Sequence, residues 1–452
     1  MAILSSTSTV LAMLKVYYKD GVENLMFRNS PVLKKIKKER VEGKTQNFSA
    51  IYGRGGAVGG DFKKAQAIAA DTARAVEFAV EPGQLFSVYS MNAKEVQAAQ
   101  TKRGAYMKIA GAKMFAASEG FRKTLAAALY GTGYGEIALA PTTALTANTS
   151  TQIVLPSYAI MAVDIGTKLE VKATVNGSAI KATLTVDSID DATHVHVTSD
   201  TTVTPLATDY ICLAGSVDAS GNALLPVGLG GWLPTDRSNL GTSFMGVTIR
   251  ASAPDRLAGI FYDGSAVNEQ KKVAVQKLLQ RCRRQGSQAD LIIMNDEDFL
   301  AFSQELEATN TFFTQTSTKE AKKASVGFKD FSASFSTNFI ENIVDDPYCP
   351  AGRFYILDSE YVALWSYTNT DKVNDGIEGN NPGKQDPMEM DGEGKTETPY
   401  GLIIDDYLNI QPGTATINGP AMDVTLQMFG SFVVTNPSVC GVGKFYGATG
   451  IA

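Results

Sequence analysis

The sequence predicts an α+β protein in which one long helix separates an N-terminal β-excursion from a β-rich middle and a mixed C-terminal half. Residues 75–80 alternate between the two faces of a strand, with Val76, Phe78 and Val80 on one face, which predicts a strand that buries one side. Across residues 93–130 the apolar side chains recur every three or four positions, which is the period of an amphipathic helix. Residues 131–230 instead hold short, threonine-rich β-patterned runs with little charge.

Composition limits the class of protein. The 452 residues are 44% hydrophobic and 19% charged, so the chain can fill several hydrophobic cores. The formal net charge of −6 argues against a broad nucleic-acid-binding surface, because such surfaces neutralise phosphates with an excess of Lys and Arg. No apolar run approaches the ~20 residues that a membrane span needs, and no export signal is visible.

The first 85 residues are predicted to be appendages. Residues 1–44 form an arm, with a short helix near residues 10–19 and a basic run at residues 34–40. Residues 45–85 form an extended hairpin loop, whose strands flank a glycine-rich tip at residues 53–60. Neither segment can build a core alone. The hypothesis is therefore that their apolar faces find cover only on another copy of the molecule.

The long helix is predicted to run from Ala93 to Tyr130. Asn92 and Glu95 have the spacing of a capping box, and Gly131 stands where a C-terminal glycine belongs. A helix of this length forms a spine for the unit that contains it.

The rest of the chain divides into a β-domain and a mixed region. In the β-domain, strands are predicted at residues 151–155, 168–175, 180–189, 194–199 and 210–214, with Asn176-Gly177 as a two-residue hairpin turn. Beyond it, helices are predicted at residues 268–285 and 297–306, the second capped by Asn295 or Asp296, and strands at residues 290–294, 339–344, 354–365, 424–434 and 441–446. Residues 371–398 are polar and are interpreted as an exposed loop.

No catalytic, cofactor or metal site is predicted. The run from Gly131 to Gly135 follows a helix instead of a strand, so a turn is preferred to a phosphate-binding loop. His194 and His196 are the only histidines, and a solvated strand face is preferred to a zinc site because no third ligand has a suitable spacing. The four cysteines form no CxxC pair and are interpreted as free thiols. The acidic pairs at residues 345–346 and 405–406 are interpreted as turn residues.

The order of these elements resembles that of the major capsid proteins of tailed bacteriophages, which have the Hong Kong 97-type fold. The stretches that carry the resemblance are PVLKKIKKERVEGKTQNFSAIYGRGGAVGGDFKKA, MNAKEVQAAQTKRGAYMKIAGAKMFAASEGFRKTLAAALYGTG, TDRSNLGTSFMGVTIR, ADLIIMNDEDFLAFSQEL, DDPYCPAGRFYILDSEYVALW and MFGSFVVTNPSVCGVGKF. Residues 138–230 lie outside it.

The resemblance implies a layout. It consists of an N-terminal arm (1–44), an extended loop (45–85), a peripheral domain with the spine helix (86–135), an inserted β-domain (136–230), an axial domain with return strands (231–395) and the closing peripheral strands (396–452). The chain would self-assemble into pentamers and hexamers of an icosahedral shell around double-stranded DNA. An encapsulin-like shell protein and a phage tail or fibre protein are the alternatives.

The resemblance also implies partners. These are other copies of the chain, a separate scaffolding protein, a portal, possible decoration proteins and weakly held DNA, in a virion assembled in the host cytoplasm. The basic run of the arm could contact DNA, an acidic patch on a neighbouring copy or only solvent, and the sequence does not decide among these three. Candidates for inter-subunit contact are Lys34, Lys35, Lys37, Lys38, Arg40, Arg54, Lys63, Lys64 and Phe78. Lys63 and Lys64 also have the position of the lysine that some relatives cross-link.

Overall fold

The computed structural model describes residues 31–41, 43–53, 60–68, 74–92, 120–309, 333–334, 339–340, 342–366 and 421–447. The helices in these ranges are α1 Pro31–Lys35, α2 Phe62–Ile68, α3 at residues 120–128, α4 Ser157–Met161, α5 Leu229–Trp232, α6 Pro254–Leu257, α7 Lys271–Arg284 and α8 Asp296–Thr309. The strands are β1 Lys37–Arg40, β2 Gln46–Ile51, β3 Ala75–Val80, β4 Gly83–Asn92, β5 Glu136–Leu139, β6 Ser150–Val154, β7 Lys168–Lys172, β8 Ile180–Ile189, β9 His194–Ser199, β10 Tyr210–Leu213, β11 Ile260–Asp263, β12 Leu291–Met294, β13 Ala333–Ser334, β14 Phe339–Ile340, β15 Asn342–Asp345, β16 Arg353–Leu357, β17 Val362–Ser366, β18 Ala421–Val434 and β19 Gly441–Lys444.

Two sheets form the body of the molecule. A five-stranded sheet has the order β11-β19-β16-β12-β15, and a four-stranded sheet has the order β1-β17-β18-β4. Strands β12, β16 and β17 are buried along their whole length. Their continuous apolar sequences follow from this, because a strand that is covered on both faces needs no alternation.

Helix α7 covers the five-stranded sheet. Its buried residues recur every three or four positions, which places them on the face that contacts β19 and β11. Helix α8 begins where the side chain of Asn295 accepts a hydrogen bond from the backbone N–H of Glu297 at 3.0 Å. The predicted helices at 268–285 and 297–306, and Asn295 as the cap of the second, are confirmed.

The middle of the chain forms its own six-stranded antiparallel sheet, with the order β5-β10-β7-β8-β9-β6. Burial alternates along β8 and β9, as expected for strands with one solvated face. The apolar faces enclose a hydrophobic cluster that is separate from the two clusters of the body. We call this unit the middle sheet. All five predicted strands are confirmed, whereas β5 was not predicted.

The hairpin of β2 and β3 packs on its own chain, which corrects the hypothesis that the appendages find cover only on another copy. Phe78 is fully buried, and its ring lies 5.2 Å from that of Phe48 and 5.3 Å from that of Trp232. Phe48 also meets Trp365 edge-to-face at 5.9 Å. We call these four residues the aromatic cluster. The physical reason for the correction is that the body itself supplies the apolar surface that the hairpin base needs.

The described part of the arm also lies on the body. Strand β1 adds to the four-stranded sheet in parallel with β17, and Lys37 pairs with Ala363. Val32, Leu33 and Ile36 are buried in the same hydrophobic cluster as the aromatic rings. The short helix expected near residues 10–19 lies outside the described residues.

Three further expectations are corrected. Asn176-Gly177 is not a two-residue turn, because β7 ends at Lys172 and β8 begins at Ile180. The single strand expected at 354–365 is two strands in different sheets, β16 and β17, which Ser359–Tyr361 separates as a turn of 3₁₀ helix. Strand β19 pairs with β16 and β11 in the five-stranded sheet, so it does not group with β18 as residues 396–452 were expected to do.

Of the predicted spine helix, the structure describes residues 120–128 as helical, and residues 93–119 lie outside the described part. The helix ends before Gly131, and the run to Gly135 forms turns in which Gly133 and Gly135 have φ values of 96° and 70°. This confirms the interpretation of the run as a turn after a helix. Residues 371–398 also lie outside the described part.

A buried carboxyl group ties the end of α3 to the five-stranded sheet. The hydroxyl of Tyr130 donates a hydrogen bond to Oδ2 of Asp346 at 2.8 Å, and the backbone N–H of Tyr348 donates to Oδ1 at 3.0 Å. Asp346 is fully shielded from solvent. Burial raises its pKa to about 6, and the two hydrogen bonds offset only part of this rise.

We predict that this group makes the protein more stable in mild acid. Because the pKa of Asp346 is raised from 3.8 to about 6 on folding, its stabilising contribution is full below pH 3.8 and is lost as the pH rises through 6. Asp346→Asn removes this titration. The free energy of unfolding of the variant, relative to that of the original chain, should therefore increase by about 2–3 kcal/mol between pH 4 and pH 8. Urea denaturation at both pH values measures it, and a difference that is independent of pH would contradict the assignment.

Candidate functional site

The candidate site is the hairpin of β2 and β3, and its base is fixed to the body. The backbone N–H of Ala79 donates a hydrogen bond to the carbonyl of Met245 at 2.9 Å. One guanidinium nitrogen of Arg256 donates to the carbonyl of Tyr52 at 2.6 Å. Together with the aromatic cluster, these contacts fix the hairpin on the body.

Next to Tyr52 and beyond it, the hairpin exposes large apolar side chains. Ile51 is 74% exposed and Phe62 is 80% exposed. Phe62 begins helix α2, where the carboxylate of Asp61 accepts hydrogen bonds from the backbone N–H groups of Lys63 and Lys64 at 2.9 and 3.2 Å. We call residues 51–53 and 60–68 the distal hairpin. Single exposed apolar residues are common, and two of them on one segment make the distal hairpin a candidate contact surface.

The predicted contact residues are distributed as follows. Lys63 and Lys64 are exposed on the distal hairpin. Lys35 and Lys37 are exposed on the arm, and Nζ of Lys37 donates to the carbonyl of Glu360 at 3.5 Å. Lys38 is half-buried.

Of the other predicted contact residues, three have side chains that the structure does not describe, and one is buried in its own chain. Lys34 belongs to α1 and Arg40 pairs with Ser366 in β1, but their side chains, like the whole of Arg54, lie outside the described residues. Phe78 is the one correction. It is 0% exposed inside the aromatic cluster of its own chain, so it has no surface to offer a neighbour.

Sequence reasoning missed Phe62, Ile51 and Arg256 as parts of this site. The signal for Phe62 was present, because it directly precedes Lys63 and Lys64 in a short stretch without glycine or proline. The role of Arg256 left no local signal, since its hydrogen bond joins positions 204 residues apart.

The two histidines lie beside aspartate side chains. Nδ1 of His194 lies 2.8 Å from a carboxylate oxygen of Asp191, and Nε2 of His196 lies 3.0 Å from one of Asp190. Within the described ranges, no group of three or more His, Cys, Asp or Glu side chains is placed to hold a metal ion. All four cysteines are buried and unpaired. No helix among the residues that the structure describes is long and apolar enough to cross a bilayer.

No known protein family matches the chain in sequence, and no curated protein matches it. Among solved structures, a chain of the cyanophage A-1(L) capsid asymmetric unit is similar with a TM-score of 0.52 and 15% identity, over 93% of both chains. A chain of Mycobacterium phage Adephagia has a TM-score of 0.37 and 10% identity, over 92% of this chain and 90% of that one. A chain of the capsid of an empty GTA particle has a TM-score of 0.38 and 9% identity, over 92% and 96%. Of these three likenesses, the cyanophage one has a TM-score above 0.5 and bears on the fold.

The chain therefore has the same fold as this chain of a cyanophage capsid. The resemblance of its sequence to the major capsid proteins of tailed phages is confirmed as a likeness of fold.

We predict that two phenylalanines of the hairpin differ sharply in their effect on folding. Phe78→Ala should lower the free energy of unfolding of the unassembled chain by about 3–5 kcal/mol, because it empties a fully buried site. Phe62→Ala is the matched control and should change it by less than about 0.5 kcal/mol, because its ring is solvated. Chemical denaturation of both variants measures the difference. Equal losses would contradict the placement of the hairpin base.

Proposed function

We propose that the chain is a major capsid protein that self-assembles into pentamers and hexamers of an icosahedral shell enclosing packaged double-stranded DNA. The observation that carries this proposal is the likeness to a phage capsid chain over 93% of both chains. An alignment over 93% of both chains includes the body and the appendages together. A sheet or a hairpin that two unrelated proteins happen to share would align over a much smaller part of each chain.

The distal hairpin supports this proposal physically. It projects from a base that is anchored on its own chain, and its apolar side chains Ile51 and Phe62 lie in solvent. A second copy of the chain is the occupant that a shell supplies next to every subunit. A contact between a projecting segment and a different surface of the next copy is heterologous, and such contacts close into rings.

The charges around the apolar tip fit a neighbour more readily than DNA. Lys63 and Lys64 flank Phe62 and are exposed, but the chain as a whole carries a net charge of −6. A basic and apolar tip can therefore find acidic partners on another copy. Phosphate binding along a broad surface would need an excess of basic residues, so packaged DNA would be held only weakly.

The domain layout expected from the sequence remains part of the proposal, with one adjustment. The middle sheet and its separate cluster support an inserted β-domain at residues 136–230. The five-stranded sheet with α7 and α8 corresponds to the axial domain, and the four-stranded sheet with α3 corresponds to the peripheral domain. Strand β19 joins the axial unit because it pairs with β16.

The proposed partners are other copies of the chain, a separate scaffolding protein, a portal and decoration proteins. The proposed location is the virion, after assembly in the cytoplasm of the bacterial host. Purified protein examined by electron microscopy tests this role: hollow icosahedral particles support it, and rods or small discrete particles would contradict it.

We predict that Phe62→Ala impairs assembly without impairing folding. Loss of a buried aromatic anchor at an interface costs at least about 2 kcal/mol per contact, so the protein concentration needed for assembly should rise more than about tenfold. Leu206→Ala is the control, since Leu206 is a similarly exposed apolar residue (60%) of the middle sheet that the proposed contact does not use. Light scattering against protein concentration measures both variants. Assembly of Phe62→Ala at the original concentration would refute the proposed contact.

A further inference from the structure

A polar cavity lies where the middle sheet meets the body. Its volume is about 40 Å³, and residues that line it include Tyr130 at the end of α3, Glu136 at the start of β5, Tyr158 in α4 and Arg353 at the start of β16. Tyr130 belongs to the hydrophobic cluster of the body, whereas Tyr158 belongs to the cluster of the middle sheet. The cavity is therefore a joint between two separately packed units.

Three polar atoms of residues that line this cavity have no hydrogen-bond partner in the protein. They are Oε2 of Glu136, the hydroxyl of Tyr158 and Nη2 of Arg353, and each atom is shielded from bulk solvent. Arg353 is only 8% exposed and Tyr158 only 7%. Glu136 is half-buried as a residue, and its other oxygen accepts a hydrogen bond from the backbone N–H of Thr132 at 2.6 Å. Buried polar atoms of this kind are destabilising unless another group bonds them.

The charges of Arg353 and Glu136 act on each other across the cavity without a direct hydrogen bond between them. Burial raises the pKa of Glu136, and the positive charge of Arg353 lowers it in part. The pKa of Tyr158 shows the same two influences. A buried cation and a buried carboxylate that are separated in this way need a polar bridge, because an uncompensated buried charge is strongly unfavourable.

We propose that this cavity is a binding site for two or three ordered water molecules, which bridge the guanidinium of Arg353 to the carboxylate of Glu136 and to the hydroxyl of Tyr158. A water needs about 10–15 Å³ of such space and two to four polar partners. The 40 Å³ of the cavity and its three unpartnered atoms meet both requirements for a small cluster.

Water fits this site better than an anion does. An anion near Arg353 would accept hydrogen bonds from the guanidinium and from Tyr158, but it would leave Oε2 of Glu136 without a donor and close to a like charge. Water both donates and accepts, so it can satisfy all three atoms at once. The bridge would join the middle sheet to the body by contacts that can exchange partners as the two units shift slightly. This inference does not depend on the proposed capsid function.

A pair of substitutions tests the water site. The hydroxyl of Thr235 is also buried without a protein partner, but Thr235 is not among the residues that line the cavity. If water bonds the hydroxyl of Tyr158, Tyr158→Phe should lower the Tm of the full chain by about 1–2 °C. Thr235→Val should leave the Tm unchanged or raise it, because it removes a hydroxyl that no protein atom satisfies. A Tyr158→Phe variant as stable as the original chain would overturn the proposal.

Direct observation and an anion control complete the test. A map of the full chain at a resolution that shows water should contain two or three peaks within about 2.7–3.2 Å of the three atoms. An empty cavity, or a direct ion pair between Arg353 and Glu136, would overturn the proposal. Phosphate stabilises proteins in general by exclusion from their surface, so the change in Tm on replacing chloride by phosphate or gluconate at constant ionic strength is compared between the original chain and Tyr158→Phe. The change should be the same for both. A rise in Tm with the concentration of one anion that Tyr158→Phe abolishes would overturn the proposal in favour of an anion site.

Discussion

The rest of the structure depends on the contact between the hairpin base and the body through the aromatic cluster of Phe48, Phe78, Trp232 and Trp365. These rings come from the hairpin, from α5 and from the four-stranded sheet. The indole N–H of Trp232 also donates a hydrogen bond to the carbonyl of Phe432 at 2.8 Å, which fixes the ring on β18. Aromatic side chains bury large areas, so four of them in contact provide much of the free energy that holds these elements together.

This anchoring changes the physical account of how the chain would assemble. An appendage without a core of its own would have to bury all of its apolar side chains against a neighbour, and would become ordered only upon assembly. Here the base of the hairpin and the described part of the arm are already ordered on the body. The distal hairpin keeps Ile51 and Phe62 exposed, and under the proposed function it is the segment that a neighbour covers. A subunit of this kind can present its contact segment in a fixed direction, which reduces the conformational entropy lost on association.

Local sequence patterns predicted most elements, and long-range contacts account for what they missed. Alternation predicted β3 and the strands of the middle sheet, and a capping residue predicted the start of α8, because these signals lie within a few residues of each other. The pattern of Phe78 predicted a buried face correctly, but it could not tell which surface covers that face. Trp232 is 154 positions away, and no local rule connects the two. The electrostatic influence of Arg353 on Glu136 across the joint left no sequence signal for the same reason.

The most direct test of this account is a structure of the assembled particle in which the path of the hairpin can be followed. The account predicts that Phe78 stays against Trp232 of its own chain, while Phe62 and Ile51 are buried on a neighbouring copy. A particle in which residues 62–68 face solvent would contradict it, and so would one in which β2 and β3 leave their own body and pack on another subunit.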